Sequence, residues 1–239
     1  MNTFTRLRLL LSVLLFSLVL QGCATVEGPT DPEDPFESFN RAVYTFNDTL
    51  DKAILKPVAQ GYNAALPNPV NKGVSNFFSN LDDVVVVFND LLQLKIGQAL
   101  SDTARVFFNS TIGIFGLIDV ASGMDLPKHD EDLGQSFGYW GIDTGPYLVI
   151  PFLGPSDIRD AVGRVGDAYV DPLNDITPDG TRNGLLLLEG VDIRAGLLSA
   201  SKVLKEAALD EYLFVRDAYL QRREDLVYDG DPPKPSFDD

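Results

Sequence analysis

Cysteine and histidine are nearly missing from this chain: 239 residues carry one of each. One cysteine excludes an internal disulfide, so the folded part must hold by packing and polar pairing. One histidine and one cysteine also leave no nitrogen–sulfur metal site, and no metal or cofactor is expected. Positive charge is scarce too. Nineteen Lys and Arg stand against 35 Asp and Glu, a formal charge of −16. A surface of that sign repels phosphate backbones, which excludes nucleic acid as a partner. Phosphate-cradling glycine patterns are absent, with neither G-x-G-x-x-G nor a Walker sequence present. No apolar run reaches the roughly 20 residues that span a bilayer.

What is present begins with an address. Arg6 and Arg8 precede an apolar run to Leu20, broken by Ser12 and Ser17. The run closes on Leu20-Gln21-Gly22-Cys23. A positive start, a short apolar stretch and a small residue before the cut describe a secretory signal. A cysteine at the cut makes it a lipobox, in which the thiol takes a diacylglycerol and becomes the new N-terminus. Residues 1–22 are then the signal peptide and 23–33 a lipidated tether. Acyl chains on Cys23 each gain roughly 0.8 kcal/mol per buried methylene, and more than one makes the anchoring stable. Ala24, where an aspartate would favour the inner membrane, favours the outer. Cys23→Ser is expected to leave an uncleaved, unlabelled precursor in fatty-acid labelling. Label persisting on the serine variant refutes the site.

Residues 34–228 read as one domain with a mainly helical period, and 229–239 (DGDPPKPSFDD) as a disordered acidic tail. Asp34-Pro35-Phe36-Glu37 opens the first helix, with Asp34 as its cap. Phe39, Val43, Phe46, Leu50 and Ala53 form an apolar stripe, and Lys56-Pro57 ends or kinks it. Asn68-Pro69 starts a second helix, and Ser101 or Asp102 caps a third. Residues 185–205 suit a helix bent near Gly190 or Gly196. Asp210 caps a last one running to Asp225, where Arg222 and Arg223 suit the C-terminal dipole. Between them, residues 122–160 are dense in glycine, proline and aromatics, so regular structure is repeatedly interrupted. VVVVF at 84–88 and LLLL at 185–188 are apolar on every side of a helix, which places them in a core or against lipid.

Catalytic patterns are weak. Gly134-Gln135-Ser136-Phe137-Gly138 matches the nucleophile elbow of hydrolases, which would make Ser136 a lipase nucleophile. That elbow needs a βαβ setting and a histidine later in the chain, whereas His129 lies five residues upstream. Ser199-Ala200-Ser201-Lys202 lacks the companion elements of S-x-x-K enzymes.

Five stretches in order resemble one family. They are DPFESFNRAVYTFNDTLDKAILKPVA at 34–59, P-x-P-V-x-x-G-V-x-N-F-F-x-N-L at 67–81 and ARVFFNSTIGIFGLIDVAS at 104–122. EDLGQSFGYWGIDTGPYLVIPFLGPSDIRDAVG follows at 131–163, then DEYLFVRDAYLQRREDLVYDG at 210–230. Together they resemble the MlaA family, also called VacJ, with one departure: Asp83-Val84 stands where the pattern has a proline. The resemblance implies a helical, ring-like domain lodged in the inner leaflet of the outer membrane and bound to trimeric porins. It implies an amphipathic channel that removes mislocalised outer-leaflet phospholipids and passes them to a periplasmic lipid carrier, with no bond broken. A passive structural lipoprotein is the rival reading.

Candidate residues follow. Asn40, Arg41, Phe46 and Asn47 match the family's first-helix motif and are assigned to packing or gating. Asn40 and Asn47 share a face suited to hydrogen-bonding a neighbouring loop. Gly138, Trp140, Gly141, Asp143, Gly145, Tyr147, Pro151 and Phe152 are assigned to the lipid path.

Overall fold

The computed structural model describes residues 31–233; Cys23, the signal segment and the end of the tail lie outside them. The architecture is mainly α. Helix α1 covers Glu37–Leu50 and passes through a π-helical turn, Asp51–Leu55, into α2, Lys56–Ala65. Helices α3 (Asn68–Leu92) and α4 (Ile96–Thr111) form an antiparallel pair. Then come α5 (Leu133–Tyr139), strands β1 (Tyr147–Ile150) and β2 (Gly154–Asp157), and α6 (Ile158–Asp167). Helices α7 (Asp179–Gly196), α8 (Leu198–Ala207) and α9 (Glu211–Val227) complete the domain.

Packing runs in a closed circuit. Helix α1 leads through the π turn to α2, and α2 packs on α7, α7 on α3, and α3 on α5. Helix α5 packs on α6, α6 meets β2, β2 pairs with β1, and β1 returns to α1. That is the ring-like domain expected from the resemblance. No described helix is long and apolar enough to cross a membrane.

Several local expectations need correction. Asp34 does not cap α1, whose N-cap is Phe36 without a side-chain bond. Its carboxylate is buried instead, accepting from Asn40 at 2.8 Å and from the Tyr212 hydroxyl. Pro57 does not end the helix. In a continuous α-helix its ring would press on the carbonyl of Ala53 and its missing N–H would break the ladder. The π turn just before it, in which the Lys56 N–H bonds the Asp51 carbonyl, re-spaces the carbonyls and lets the chain continue. Ser101 and Asp102 lie inside α4, which begins at Ile96. The break in the 185–205 segment falls at Leu197, directly after Gly196. Asp210 caps α9, accepting from the Tyr212 and Leu213 N–H groups at 2.9 and 3.2 Å. Arg223 does not serve the helix dipole: it holds Asp132 through two bonds of 2.6 and 2.8 Å and Asp160 through a third of 2.8 Å.

The interrupted segment contains more order than glycine and proline suggest. Asp132 caps α5 through the Gln135 N–H, and Asp157 caps α6 through the Asp160 N–H, each at 2.8 Å. Between them β1 and β2 pair antiparallel, from Tyr147 opposite Asp157 to Ile150 opposite Gly154. The strands are only four residues each, too short to show as a period in the sequence.

The distribution of polarity is inverted. Among the described residues, nineteen polar or charged side chains are buried against eleven apolar ones. Asn80, Asp83, Asn89 and Asp90 of α3 face inward with Asp102, Arg105 and Asn109 of α4. Outward stand Leu91, Leu92, Ile96, Leu100 and Phe107 on the same pair, with Leu94 in their connection and Ile112 just after α4. Of the apolar runs, Val85 and Val86 are core, while Leu187 is 74% exposed. Exposed apolar area of this extent marks a surface that meets something other than water.

Candidate functional site

The β1–β2 hairpin is fixed by two amides on one face of α1, seven residues apart. The buried Asn40 amide donates to the Tyr147 carbonyl at 3.0 Å and accepts from the Val149 N–H at 2.9 Å. Asn47 repeats this at the tip, donating to the Ile150 carbonyl at 3.0 Å and accepting from the Phe152 N–H at 2.8 Å. Each asparagine thus satisfies backbone groups that a two-stranded ribbon would leave orphaned. Phe46 adds an edge-on contact with Phe152, ring centroids 5.4 Å apart. Arg41 points the other way, to Asp210 at 2.9 Å, with its guanidinium 4.4 Å above the Tyr212 ring. These four residues tie α1 to the hairpin and to the start of α9.

The eight path residues are not brought together. Tyr147 is fully buried among Val149, Tyr212 and Tyr219, so it cannot touch a lipid; burial pushes its hydroxyl above the usual tyrosine range. Phe152 is 72% exposed at the hairpin tip, next to Pro151. Trp140 leaves its ring outside while its indole N–H donates to the Leu92 carbonyl at 3.0 Å. Gly138, Gly141, Asp143 and Gly145 line one cleft of about 590 Å³ facing α9. Gly145 has φ +68°, a left-handed conformation in which any Cβ is strained. An alanine there is therefore no neutral control for a larger residue.

The elbow-like pattern has a packing cause. A Cβ on Gly134 would come within 2.3 Å of Asp160, and one on Gly163 within 2.4 Å of the Gly134 nitrogen. Helices α5 and α6 meet at these two glycines. The Ser136 hydroxyl between Gly134 and Gly138 is buried, donating to Asn89 at 2.9 Å and accepting from Gln93 at 3.1 Å. His129 instead meets Asp102 at 2.6 Å.

The arrangement that most resembles a passage was not singled out by the sequence. A cavity of about 490 Å³, open to the outside, is lined by Ile150, Leu153, Ala161, Val165 and Tyr169, and the last two are 62% and 85% exposed. A second, of about 240 Å³, is lined by Asp82, Asp167, Asp171 and Glu189. Arg164 and Ala168 line both, so an apolar chamber adjoins an acidic one. Burial raises Asp171 and Glu189 above their ordinary carboxyl values, with neighbouring acids adding to the effect. The available signal was Ile158, Val162, Val165 and Tyr169 recurring at helical spacing. A third cavity, of about 300 Å³, lies between α1, β2 and α8, where Arg194 clasps Asp51 at 2.6 and 2.9 Å.

The polar interior holds several carboxyls that burial raises, and Asp90 is the one raised furthest into the neutral range. Asp90 is wholly buried, and neither carboxyl oxygen has a partner within hydrogen-bond geometry. Burial, then the adjacent Asp102 and Glu131, push it up to about 7, with Lys95 opposing. Its folded value exceeds the ordinary value near 3.9, so the fold takes up a proton there and loses stability as pH rises between about 4 and 7. Asp90→Asn removes this ionisation. From pH 5 to 8 the variant is expected to gain about 2 kcal/mol relative to wild type in urea denaturation. Parallel pH profiles for the two proteins would show that Asp90 does not titrate there.

Comparison with known proteins adds to this geometry. The family described as MlaA lipoprotein matches residues 32–226. The "Intermembrane phospholipid transport system lipoprotein MlaA" of Escherichia coli (strain K12) is 37% identical, over 96% of this chain and 92% of that protein. The Haemophilus influenzae protein of the same name is 31% identical, over 92% and 91%. A solved structure described as "Structural basis for maintenance of bacterial outer membrane lipid asymmetry" superposes with a TM-score of 0.72. It is 33% identical and covers 81% of this chain and 98% of its own.

Proposed function

This chain belongs to the MlaA lipoprotein family, and from that premise we propose that it gives phospholipids an amphipathic way out of the outer leaflet of the outer membrane. Anchored through lipids on Cys23, it sits in the inner leaflet with its apolar flank among acyl chains. Lipid that has strayed outward passes through it toward a periplasmic carrier, which keeps the membrane asymmetric, and a trimeric porin supports it from the side.

The observation that carries this reading is the pair of adjoining chambers. A phospholipid in transit needs apolar surface for its tails and polar groups for its head. Val165, Leu153 and Tyr169 offer the first, and Arg164 with Asp171 and Glu189 the second. The inverted polarity supports the placement. Leu91, Leu100, Phe107, Phe115 and Leu187 would cost free energy in water, at roughly 25 cal/mol per Å² of apolar surface, but none against hydrocarbon. Buried carboxylates and amides inside are shielded from that hydrocarbon, and several are paired with one another, as Asn40 with Asp34, Asn89 with Asp167 and Gln93 with Glu131. The passage involves no covalent step, and the buried, engaged Ser136 hydroxyl gives no support to a lipase.

A charge in the apolar chamber tests the reading. Val165 is 62% exposed, so substitution should be tolerated by the fold. Val165→Arg is expected to raise outer-leaflet phospholipid at unchanged protein abundance, and Val165→Leu to leave it normal. Normal asymmetry with the arginine variant would place the passage elsewhere.

A further inference from the structure

The cleft facing α9 takes no part in the two chambers, yet it has the make-up of a binding site. Arg159 lines it, with a side chain only 5% exposed. That guanidinium is poorly matched. Its Nε lies 3.4 Å from Asp160 and its Nη1 3.4 Å from the Ile142 carbonyl, both at the limit of hydrogen bonding, and its Nη2 has no partner. Asp160 is already occupied by Arg223 at 2.8 Å and the Tyr219 hydroxyl at 2.5 Å. Asp157 and Asp160 are its anionic neighbours, but neither makes a short bond to it, and a charge-assisted bond to a further anion would offset the cost of its burial.

The loop opposite offers more donors. Among the described residues, the backbone N–H groups of Asp143, Thr144 and Gly145 donate to no other group. Gly141 and Gly145 hold left-handed φ of +85° and +68°, and no side chain at either position blocks an approach. Successive free N–H groups of this kind form anion-binding concavities. The rim has the opposite sign: Asp143, Asp217 and Glu224 are exposed carboxylates lining the same cleft. A plain anion is repelled by that rim, and a plain cation leaves Arg159 unmet. A ligand carrying both charges close together satisfies each.

We propose that this cleft binds a phosphate bearing a primary ammonium two carbons away, the phosphoethanolamine group, with the phosphate on Arg159 and the ammonium at Glu224 and Asp143. The inference rests on the phospholipid reading above and narrows it to one headgroup class. The same group occurs free and on a diacylglycerol, and the test separates the two sources.

Calorimetry on the detergent-solubilised full chain, with O-phosphoethanolamine, glycerol 3-phosphate and ethanolamine as probes, decides the chemistry. One extra charge-assisted contact predicts that phosphoethanolamine binds about tenfold more tightly than either single-charge probe. Arg159→Gln should abolish its binding. Because Arg159 and Arg223 share the Asp160 carboxylate, the exposed Glu224→Gln carries the decision. With the fold intact by circular dichroism, it should cut the preference over glycerol 3-phosphate by about threefold or more. Equal binding of all three probes, no saturable binding, or an unchanged preference in Glu224→Gln overturns the site. A photo-crosslinker at Gln221, which lines the cleft, should capture lipid from nanodiscs of phosphatidylethanolamine and not of phosphatidylglycerol. Capture of neither, with soluble probe bound, overturns the lipid source. Wild-type protein that restores asymmetry without binding phosphoethanolamine sinks this inference alone. Binding without any restored asymmetry sinks the transport reading instead.

Discussion

Asn40→Asp is expected to cost about 3–5 kcal/mol of stability, the usual penalty of an uncompensated buried charge. The exchange alters one atom in shape but reverses the chemistry. Asn40 donates to the Asp34 carboxylate and to the Tyr147 carbonyl, and accepts from the Val149 N–H. An aspartate keeps only the last bond. It also sets a second carboxylate against Asp34, which is itself 1% exposed. Two like charges so placed raise the proton affinity of the pair. With its folded value raised, the pair binds a proton more readily in the fold than in the unfolded chain. The deficit should therefore shrink as pH falls toward 4 and be fully developed at pH 8. Urea denaturation at both values measures it. Adding Asp34→Asn restores a donor and removes the like charge, so the double variant should recover part of the loss. A single variant with wild-type stability at pH 8 would show that the asparagine is not needed as a donor.

Deleting Asn47 is expected to be far worse for lipid asymmetry than Asn47→Ala. Alanine removes two hydrogen bonds at the hairpin tip, at about 1 kcal/mol each. Deletion turns the residues that follow by about 100° against the preceding turns. Asp48, Leu50 and Asp51 then leave their places. Asp51 loses Arg194 of α7, and Asp48 loses Lys205 of α8. These pairs border the cavity beneath the hairpin, and the hairpin carries Ile150 and Leu153 into the apolar chamber. Outer-leaflet phospholipid, compared at matched abundance, should rise sharply for the deletion and little for alanine. Equal phenotypes would mean that the register of α1 does not reach the passage.

Helix periods were legible because they are local. Asn68-Pro69 and Asp210 mark helix starts by chemistry that needs no partner, and both stand in the structure where the residues placed them. A period shows which residues share a face, not which way the face points. Phe39 and Phe46 belong to one apolar stripe, yet each is about half exposed, at 50% and 48%. Asn40 and Asn47 are the inward residues of the same helix, the first fully buried and the second partly so. The direction is set by what surrounds the protein, and that information lies outside any window of the chain. Asn40 and Asn47 announced a hydrogen-bonding face by their spacing, but nothing local named the hairpin they hold. The junction of chambers at Arg164 was hidden for a similar reason. It assembles from α3, α6 and α7, which are far apart in sequence. The glycines around Ser136 form a pattern shared with enzymes, which its setting in the sequence discounts, and the structure gives Gly134 a packing cause against Gly163.

The π turn at Asp51–Leu55 gives this region a spare residue. An α-helix joining the same two ends would need one fewer, so length can drift there while α1 and α2 keep their bearings. The obstacle is Pro57, whose ring tolerates the widened turn and clashes with a regular one at a cost of about 3 kcal/mol. Chain length at 51–55 and residue type at 57 are therefore linked. A relative lacking one residue here can do without the proline, whereas a loss at Asn47 displaces Asp48, Leu50 and Asp51 before the slack is reached.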